Sequence, residues 1–523
     1  MSHLATTEDR AQGTEWWTLA AVCTGVFMLL LDVTIVNVAL PDIQQQLHAD
    51  LSGLQWVIDA YALSLAALLL TAGSLADLYG RRRLFLIGTV LFTIGSAACG
   101  AAQTITVLQL SRAFQGIGGA AMFATALALL ASAYRGRERG IAFGAFGATT
   151  GVAVAVGPVL GGLLTSGLSW RWIFFVNIPI CVVALAITVA KVQESRDPKA
   201  GRPDWFGFVS FSLALGALVY GLIEAGRPAL GWGSTRVIAC LVAAVVLLAV
   251  FVIGELRQQH PMFDLALLRK PTFCGGLIAA FGVSSSVFSL LTYLVIYVQD
   301  VLGYSAVATG LRFLFLSAAS FVAAAIAGRL TERVATKLLI GPGFVLLSAG
   351  LFLLLGIDAD STWKHLIPGL IVCGVGVGMI NPPLASTAVG VVSPDRSGMA
   401  SGVNSTFRQV GIATGIAALG SIFATRISDG ISERLAGSQT APYAGKVAEG
   451  VTGGQLKTVV AQVPAAARQK VSAAAVDSFT SALDHIILIA AVIALVAAIS
   501  SFVLIRQQDF VAESGPDQGP AAG

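Results

Sequence analysis

"GSLADLYGRRRL" spans Gly73–Leu84, and a second stretch, "GRLTERVATKLL", spans Gly328–Leu339. Superimposed, they bring Gly73 onto Gly328, Leu75 onto Leu330, Asp77 onto Glu332 and Arg82 onto Lys337. Each copy joins one long apolar run to the next. A hydrocarbon layer about 30 Å thick is crossed by roughly 20 apolar residues in helix. Runs of that kind start near Trp17, Leu54, Leu84, Thr106, Ile141 and Arg171, then near Phe206 and Val237, then near Cys274, Ala306, Leu338, Leu366, Met399 and Asp484. The two copies fall at the same place in the first and last sets of six. The expectation is an all-α integral membrane protein with 14 transmembrane helices. Residues 1–192 and 271–510 form two six-helix bundles around a central cavity, and 193–270 hold two inserted helices.

Composition agrees with that medium. Of 523 residues, 56% are hydrophobic and 11% charged, against about a quarter charged in soluble chains. A water-soluble globule is excluded. The six cysteines (Cys23, Cys99, Cys181, Cys240, Cys274, Cys373) all lie in apolar runs, so no disulfide framework is implied. The first fifteen residues are polar, and the run after them lacks a small-residue cleavage site, which reads as a retained first span. With the N-terminus inside, nineteen Lys and Arg fall in inner loops and ten outside. Five of those ten lie in one long outer loop, 427–483, which the positive-inside rule discounts. Both termini are therefore expected in the cytoplasm. Within that loop Val471, Ala475, Phe479 and Leu483 recur every fourth residue, the pattern of an amphipathic helix lying on the outer membrane surface. The Pro/Gly-rich segment 511–523 is expected to be disordered.

The loop motif resembles that of the major facilitator superfamily, and the whole chain is similar to its fourteen-span branch of drug:proton antiporters. The resemblance implies that Gly73, Asp77, Gly80, Arg81 and Arg82 form a conformational latch. Asp77 would accept from a neighbouring helix end while the arginines pair across the bundle. Read as plain residues, Arg81–Arg83 serve equally as topology anchors.

Five further stretches carry the resemblance. "LLLDVTIVNVALPDI" in the first span places Asp32 about halfway down, where an ionised carboxylate costs about 2.5 to 3.5 kcal/mol. It must be neutralised, paired or hydrated, which suits either proton exchange or a hydrogen-bonding role with Thr34 or Asn37. Asp59, in "WVIDAYALSL", belongs either to the proton or substrate path or to helix packing. In "LQLSRAFQGIGGAAMF" one helix face offers Arg112, Gln115, Gly116 and Gly119, with Asp32 or Asp59 as the arginine's partner. The resemblance assigns Arg112 to proton transfer, and a static ion pair is the other reading. "GATTGVAVAVGPVLGGLL" in the fifth span resembles the superfamily's antiporter motif. Its Gly151, Gly157, Pro158, Gly161 and Gly162 allow a closely packed, kinked helix that seals the cavity against proton leak, unless they serve ordinary helix packing. "NSTFRQVGIATG" sets Arg408 in the thirteenth span. Asn37, Gln115, Glu224 and Arg408 are candidate substrate contacts.

The tenth span carries Arg312 and no acid, so a neutral, monocationic or anionic substrate fits better than a dication. No G-x-x-x-x-G-K-[ST] loop is present, the five histidines are scattered, and no Cys/His spacing suits a metal. The expectation is a secondary active transporter and no enzyme, without cofactor or metal, driven by the proton gradient. It would export amphipathic drugs or antibiotics across the cytoplasmic membrane by alternating access, with drug, protons and lipid as partners, no nucleic acid, and the monomer as the working unit. A dedicated exporter of one host metabolite or antibiotic is the alternative, and a non-transporting membrane sensor a third.

Overall fold

The computed structural model describes residues 2–134, 136–196, 203–227, 230–259, 261, 263–331, 333–358, 361–392, 397–437, 440–452 and 455–510. The tail 511–523 and Glu332 of the second motif copy lie outside the described residues. Regular structure among the described residues is helical throughout. The first six helices are α1 (Ser2–Leu47), α2 (Leu51–Tyr79), α3 (Arg81–Ala101), α4 (Ile105–Ala133), α5 (Gly136–Gly167) and α6 (Trp172–Lys191). Then come α7 (Trp205–Ala225) and α8 (Thr235–Arg257). The last set is α9 (Pro271–Val301), α10 (Ala306–Leu330), α11 (Lys337–Leu353), α12 (Leu366–Gly390), α13 (Ser397–Leu435) and α14 (Arg468–Leu504).

Lipid offers no hydrogen bonds to a backbone, so apolar runs close their own as helices. Polar residues set several starts. Asp50 accepts from Gly53 N at 2.6 Å, Asp204 from Gly207 N at 2.7 Å and Ser305 from Ala308 N at 3.3 Å, each an N-cap. Twelve helices among the described residues are long and apolar enough to cross a membrane. The described apolar parts of α5 (Val156–Gly167) and α11 (Lys337–Leu353) are shorter. Large apolar side chains stand exposed along α8, among them Val242, Val245, Val246 and Leu256, as they must where the surrounding solvent is hydrocarbon.

In the first half α4 packs between α2 and α3, and α1 lies against α5 and α6. In the second, α12 packs on α10 and α11, and α14 on α11 and α13. Two seams join the halves, α5 against α10 and α2 against α13. The inserted α7 packs on α8 and also touches both α2 and α13. Helix α9 changes to π-helical winding at Ser284–Phe288 and Tyr297–Val301.

One end of the molecule carries the Gly73–Leu84 turn (the motif end), the other the segment between α13 and α14 (the cap end). At the cap end the expected surface helix is not found. The stripe Val471, Ala475, Phe479 and Leu483 belongs to α14 itself, which runs unbroken into the final span, and all four side chains are buried. They meet Phe423 of α13, Tyr297 of α9 and the short helices Ala444–Thr452 and Leu456–Ala461. The apolar face found protein partners, so it has no need of lipid. Leu456 N donates to Asp300 Oδ2 at 3.0 Å, tying this cap to the end of α9.

Candidate functional site

A buried polar cluster lies inside the first half, assembled from four helices. Asp32 of α1 and Arg112 of α4 are 0% and 1% exposed. Arg112 Nη1 donates to Asp32 Oδ2 at 2.5 Å and to Gln115 Oε1 at 2.7 Å, and Nε donates to Val57 O at 3.1 Å. The guanidinium also lies 4.2 Å from the ring centre of Tyr61, a cation–π contact. Asp32 Oδ1 accepts from Gln115 Nε2 and from Asn177 Nδ2, each at 3.0 Å. Ser96 of α3 completes the network, accepting from Gln115 at 3.1 Å and Asn177 at 2.9 Å while donating to Phe174 O at 3.0 Å. Both carboxylate oxygens are thereby occupied, the condition on which a charge survives in a low-dielectric interior.

Glycine permits this closeness. A Cβ on Gly116 would sit 2.6 Å from Tyr61 O, and one on Gly95 2.7 Å from the Cα of Gln115. The two expected partners of Arg112 are thus resolved in favour of Asp32. Asp59 of α2 is fully buried, and neither of its oxygens has a hydrogen-bond partner among the described residues. One turn away, Gln55 Nε2 donates to Tyr293 OH at 3.3 Å and Ile416 O at 3.2 Å, placing Asp59 at the α2–α13 seam.

The α5 motif sits where close approach is needed. A Cβ on Gly157 would strike Thr34 of α1, one on Gly161 would lie 2.9 Å from Ile35 O, and one on Gly162 2.6 Å from Ala306 O. Pro158 faces Gly310 of α10 across the seam. The surroundings of Gly151 lie outside the described residues. Beside this seam a cleft is lined by Thr34, Asn37, Pro158, Phe288, Leu291 and Ser317 among others. Its cavity of about 30 Å³ holds about one water, far below the several hundred Å³ of a drug site. Asn37 accepts from Thr292 Oγ1 at 3.1 Å across the halves.

At the motif end the expected latch is not formed among the described residues. Asp77 accepts from Arg81 Nε and Nη2, at 3.0 and 2.8 Å, instead of from a helix end. Arg82 donates to the last carbonyls of α6, Thr188 O at 3.2 Å and Val189 O at 2.7 Å. Glu194 caps α3 from across the turn, accepting from Arg82 N at 3.0 Å and Arg83 N at 3.1 Å. Gly80 has φ 112°, and a Cβ there would lie 2.6 Å from the Glu194 carboxyl carbon, so glycine is required twice over. None of these partners belongs to the second half. Gly73 faces open space among the described residues, with none of them within 4 Å of a Cβ placed on it, and so does its repeat partner Gly328.

A sequence profile of the Major Facilitator Superfamily matches residues 22–416. The chain belongs to that superfamily. It is 40% identical over 423 residues to the Multidrug resistance protein Stp of Mycobacterium tuberculosis, covering 81% of this chain and 78% of the relative. It is 36% identical to the Puromycin resistance protein pur8 of Streptomyces alboniger (78% and 81% covered) and 34% identical to the Tetracenomycin C resistance and export protein of Streptomyces glaucescens (81% and 79%). The crystal structure of a bacterial homolog of the human lysosomal transporter Spinster is similar in fold, with TM-score 0.61, 15% identity, and 94% and 98% of the two chains covered. This major facilitator protein is a multi-span membrane transporter.

Two of the candidate substrate contacts are otherwise engaged. Gln115 is part of the Asp32 network. Glu224, near the cap end of α7, is buried and ion-paired to Arg227 at 2.9 Å and Arg236 at 3.4 Å. Arg227 reaches on to Ser52 Oγ of α2 at 3.2 Å, so Glu224 braces the inserted helix against the first half. Arg408 donates to Asn381 Oδ1 of α12 at 2.5 Å. Sequence reasoning missed Ser96, Asn177 and Glu194. Asn177 carried one signal, a lone amide inside an apolar run.

Proposed function

We propose that this major facilitator exports amphipathic drugs or antibiotics across the cytoplasmic membrane in exchange for protons, using no cofactor. The observation that carries the reading is the Asp32 cluster, a buried acid whose charge is met by one arginine and two amides. Protonating Asp32 removes the charge that holds Arg112 in place, and releasing the proton restores it. Proton occupancy and the arrangement of α1, α3, α4 and α6 are thereby coupled. Asp59 meets no hydrogen-bond donor among the described residues, so a charge on it in this conformation is costly. Relatives named for resistance to puromycin, and for resistance to and export of tetracenomycin C, favour a drug-like substrate. A dedicated exporter of one such compound is the second reading, favoured by the same names.

The chain works as a monomer of fourteen spans, counting α5 and α11, with residues 1–192 and 271–510 as the rocking bundles and 193–270 as the inserted pair. Its motif end and both termini face the cytoplasm. The cap-end seams hold the outer side closed, and the cleft opens for substrate when the halves separate. Each charge crossing about 100 mV supplies about 2.3 kcal/mol, roughly a 50-fold gradient.

The test is efflux of a fluorescent dye from proteoliposomes under an imposed pH gradient. Wild type is expected to concentrate the dye and Asp32→Asn to lose gradient-driven export by at least about tenfold. Equal export by Asp32→Asn with the gradient intact would sink the coupling role.

A further inference from the structure

The charges inside the apolar spans of the two halves do not balance. In the first half Arg112 is matched by Asp32. In the second, Arg408 of α13 is only partly exposed, and among the described residues no carboxylate forms an ion pair with it. Its guanidinium donates to the carbonyl oxygen of the Asn381 amide at 2.5 Å, a neutral partner for a full charge. One turn back on the same helix face, Asn404 is 5% exposed and its amide nitrogen has no hydrogen-bond partner among the described residues. Two donor groups thus stand side by side with bonds to give and no anion to receive them. An arginine left so in hydrocarbon is expensive, and an orphaned buried amide adds to the cost.

The position is next to the path between the halves. Asn381 lies one turn along α12 from Val377, which lines the cleft with Thr34, Asn37 and Ser317. No charged side chain lines that cleft. A compound entering it meets apolar walls and a few neutral hydrogen-bonding groups, and one turn along α12 from Val377 stands Asn381 with the cation it holds.

We propose that Arg408, with Asn404 beside it and Asn381 steadying it, receives an acidic group on the transported compound, so that the preferred substrates are amphipathic acids. The proposal rests on the export reading above and names its substrate class. An anion supplies the acceptor that Arg408 and Asn404 lack, and the guanidinium's fork of donors suits a carboxylate or phenolate. The apolar cleft takes the rest of the molecule. A cation would be repelled at this point. A phospholipid phosphate has the same chemistry and is the other source of such an anion.

The experiment is equilibrium binding to the full chain in phosphatidylcholine nanodiscs, with empty discs as control, using pyrenebutyrate and its uncharged amide. A hydrogen-bonded charge of this kind predicts that wild type binds the acid about tenfold or more tightly than the amide. Arg408→Gln is expected to erase that preference while leaving amide binding within about twofold, Arg408→Lys to keep part of it, and Asn404→Leu to reduce it with the charge still present. Thermal unfolding of each variant separates a lost site from a lost fold, and Asn404→Leu carries the test if Arg408→Gln does not fold. Competition by phosphatidylglycerol as strong as by pyrenebutyrate keeps the anion site and assigns it to a lipid headgroup. Wild type without preference, or acid and amide binding falling together in Arg408→Gln, overturns the proposal. If the preference is present but a pH gradient moves neither probe in proteoliposomes, the export reading fails and the anion site stands.

Discussion

Asn177 Nδ2 donates to Asp32 Oδ1 at 3.0 Å while Arg112 Nη1 holds Oδ2. The amide comes from α6 and the cation from α4, so the protonation of one carboxyl is felt by helices on both sides of α1. Asn177→Leu keeps the volume and removes the bond. A hydrogen bond to a charged group is worth about 1.5 to 3 kcal/mol. Asn177→Leu is therefore expected to lower the unfolding stability by about that much and to slow gradient-driven dye export about tenfold or more. Export at the wild-type rate would make Asn177 a packing residue only.

How much of this was legible in the chain depends on how far each residue's partner can be inferred. Asp32 and Arg112 stood out because charges are rare in apolar runs and each demands an opposite. Ser96 and Asn177 did not, since small polar residues sit in membrane helices without any partner that sequence can name. The stripe ending at Leu483 gave its period correctly and its environment wrongly. Periodicity shows that a face is apolar and is silent on whether lipid or protein covers it. The loop motif showed its residue types, but whether Asp77 holds a helix end or Arg81 depends on the conformation, which no single sequence fixes. Glu194, which completes that turn, is one acid among the loop residues until the fold brings it to Arg82.

Phe479 tests the corrected reading of the cap. It is fully buried, 5.1 Å from Phe423 and 6.2 Å from Tyr297 between ring centres. Phe479→Ala is expected to cost about 3 to 5 kcal/mol, seen as an earlier unfolding midpoint in detergent and earlier proteolysis between α13 and α14. A helix lying on lipid would lose membrane contact at this position and leave the midpoint nearly unchanged.

Gly73 and Gly328 face open space at the motif end, although many helical glycines here touch a neighbour. Their emptiness makes sense if these faces close on the opposite half when the cap end opens. Gly73→Leu is expected to leave the unfolding stability within about 0.5 kcal/mol of wild type, as surface helix changes do, yet to slow export about tenfold by obstructing that closure. Unimpaired export would show that the face never closes.

The inserted helix α7 touches both halves, and its two attachments differ in kind. Toward α2 it is held by Arg227 on Ser52 and by Trp56 and Tyr220, whose ring centres are 6.3 Å apart. Toward α13 it packs apolar side chains, Val219 and Ile223 with Ala413 and Ala417, and a Cβ on Gly226 would lie 3.3 Å from the Cβ of Ser421. The α2–α13 seam must part at the cap end if the halves rock, so α7 is expected to ride with α2 and leave α13 in each cycle. The Gly226→Cys, Ser421→Cys pair is close to the Cβ spacing of a disulfide, about 3.5 to 4.5 Å. Oxidising it should stop export by at least about tenfold, and reduction should restore it, while either single variant is indifferent to oxidant. Export that continues at full rate with the bond formed, as shown by peptide mapping, would mean that α7 and α13 never separate.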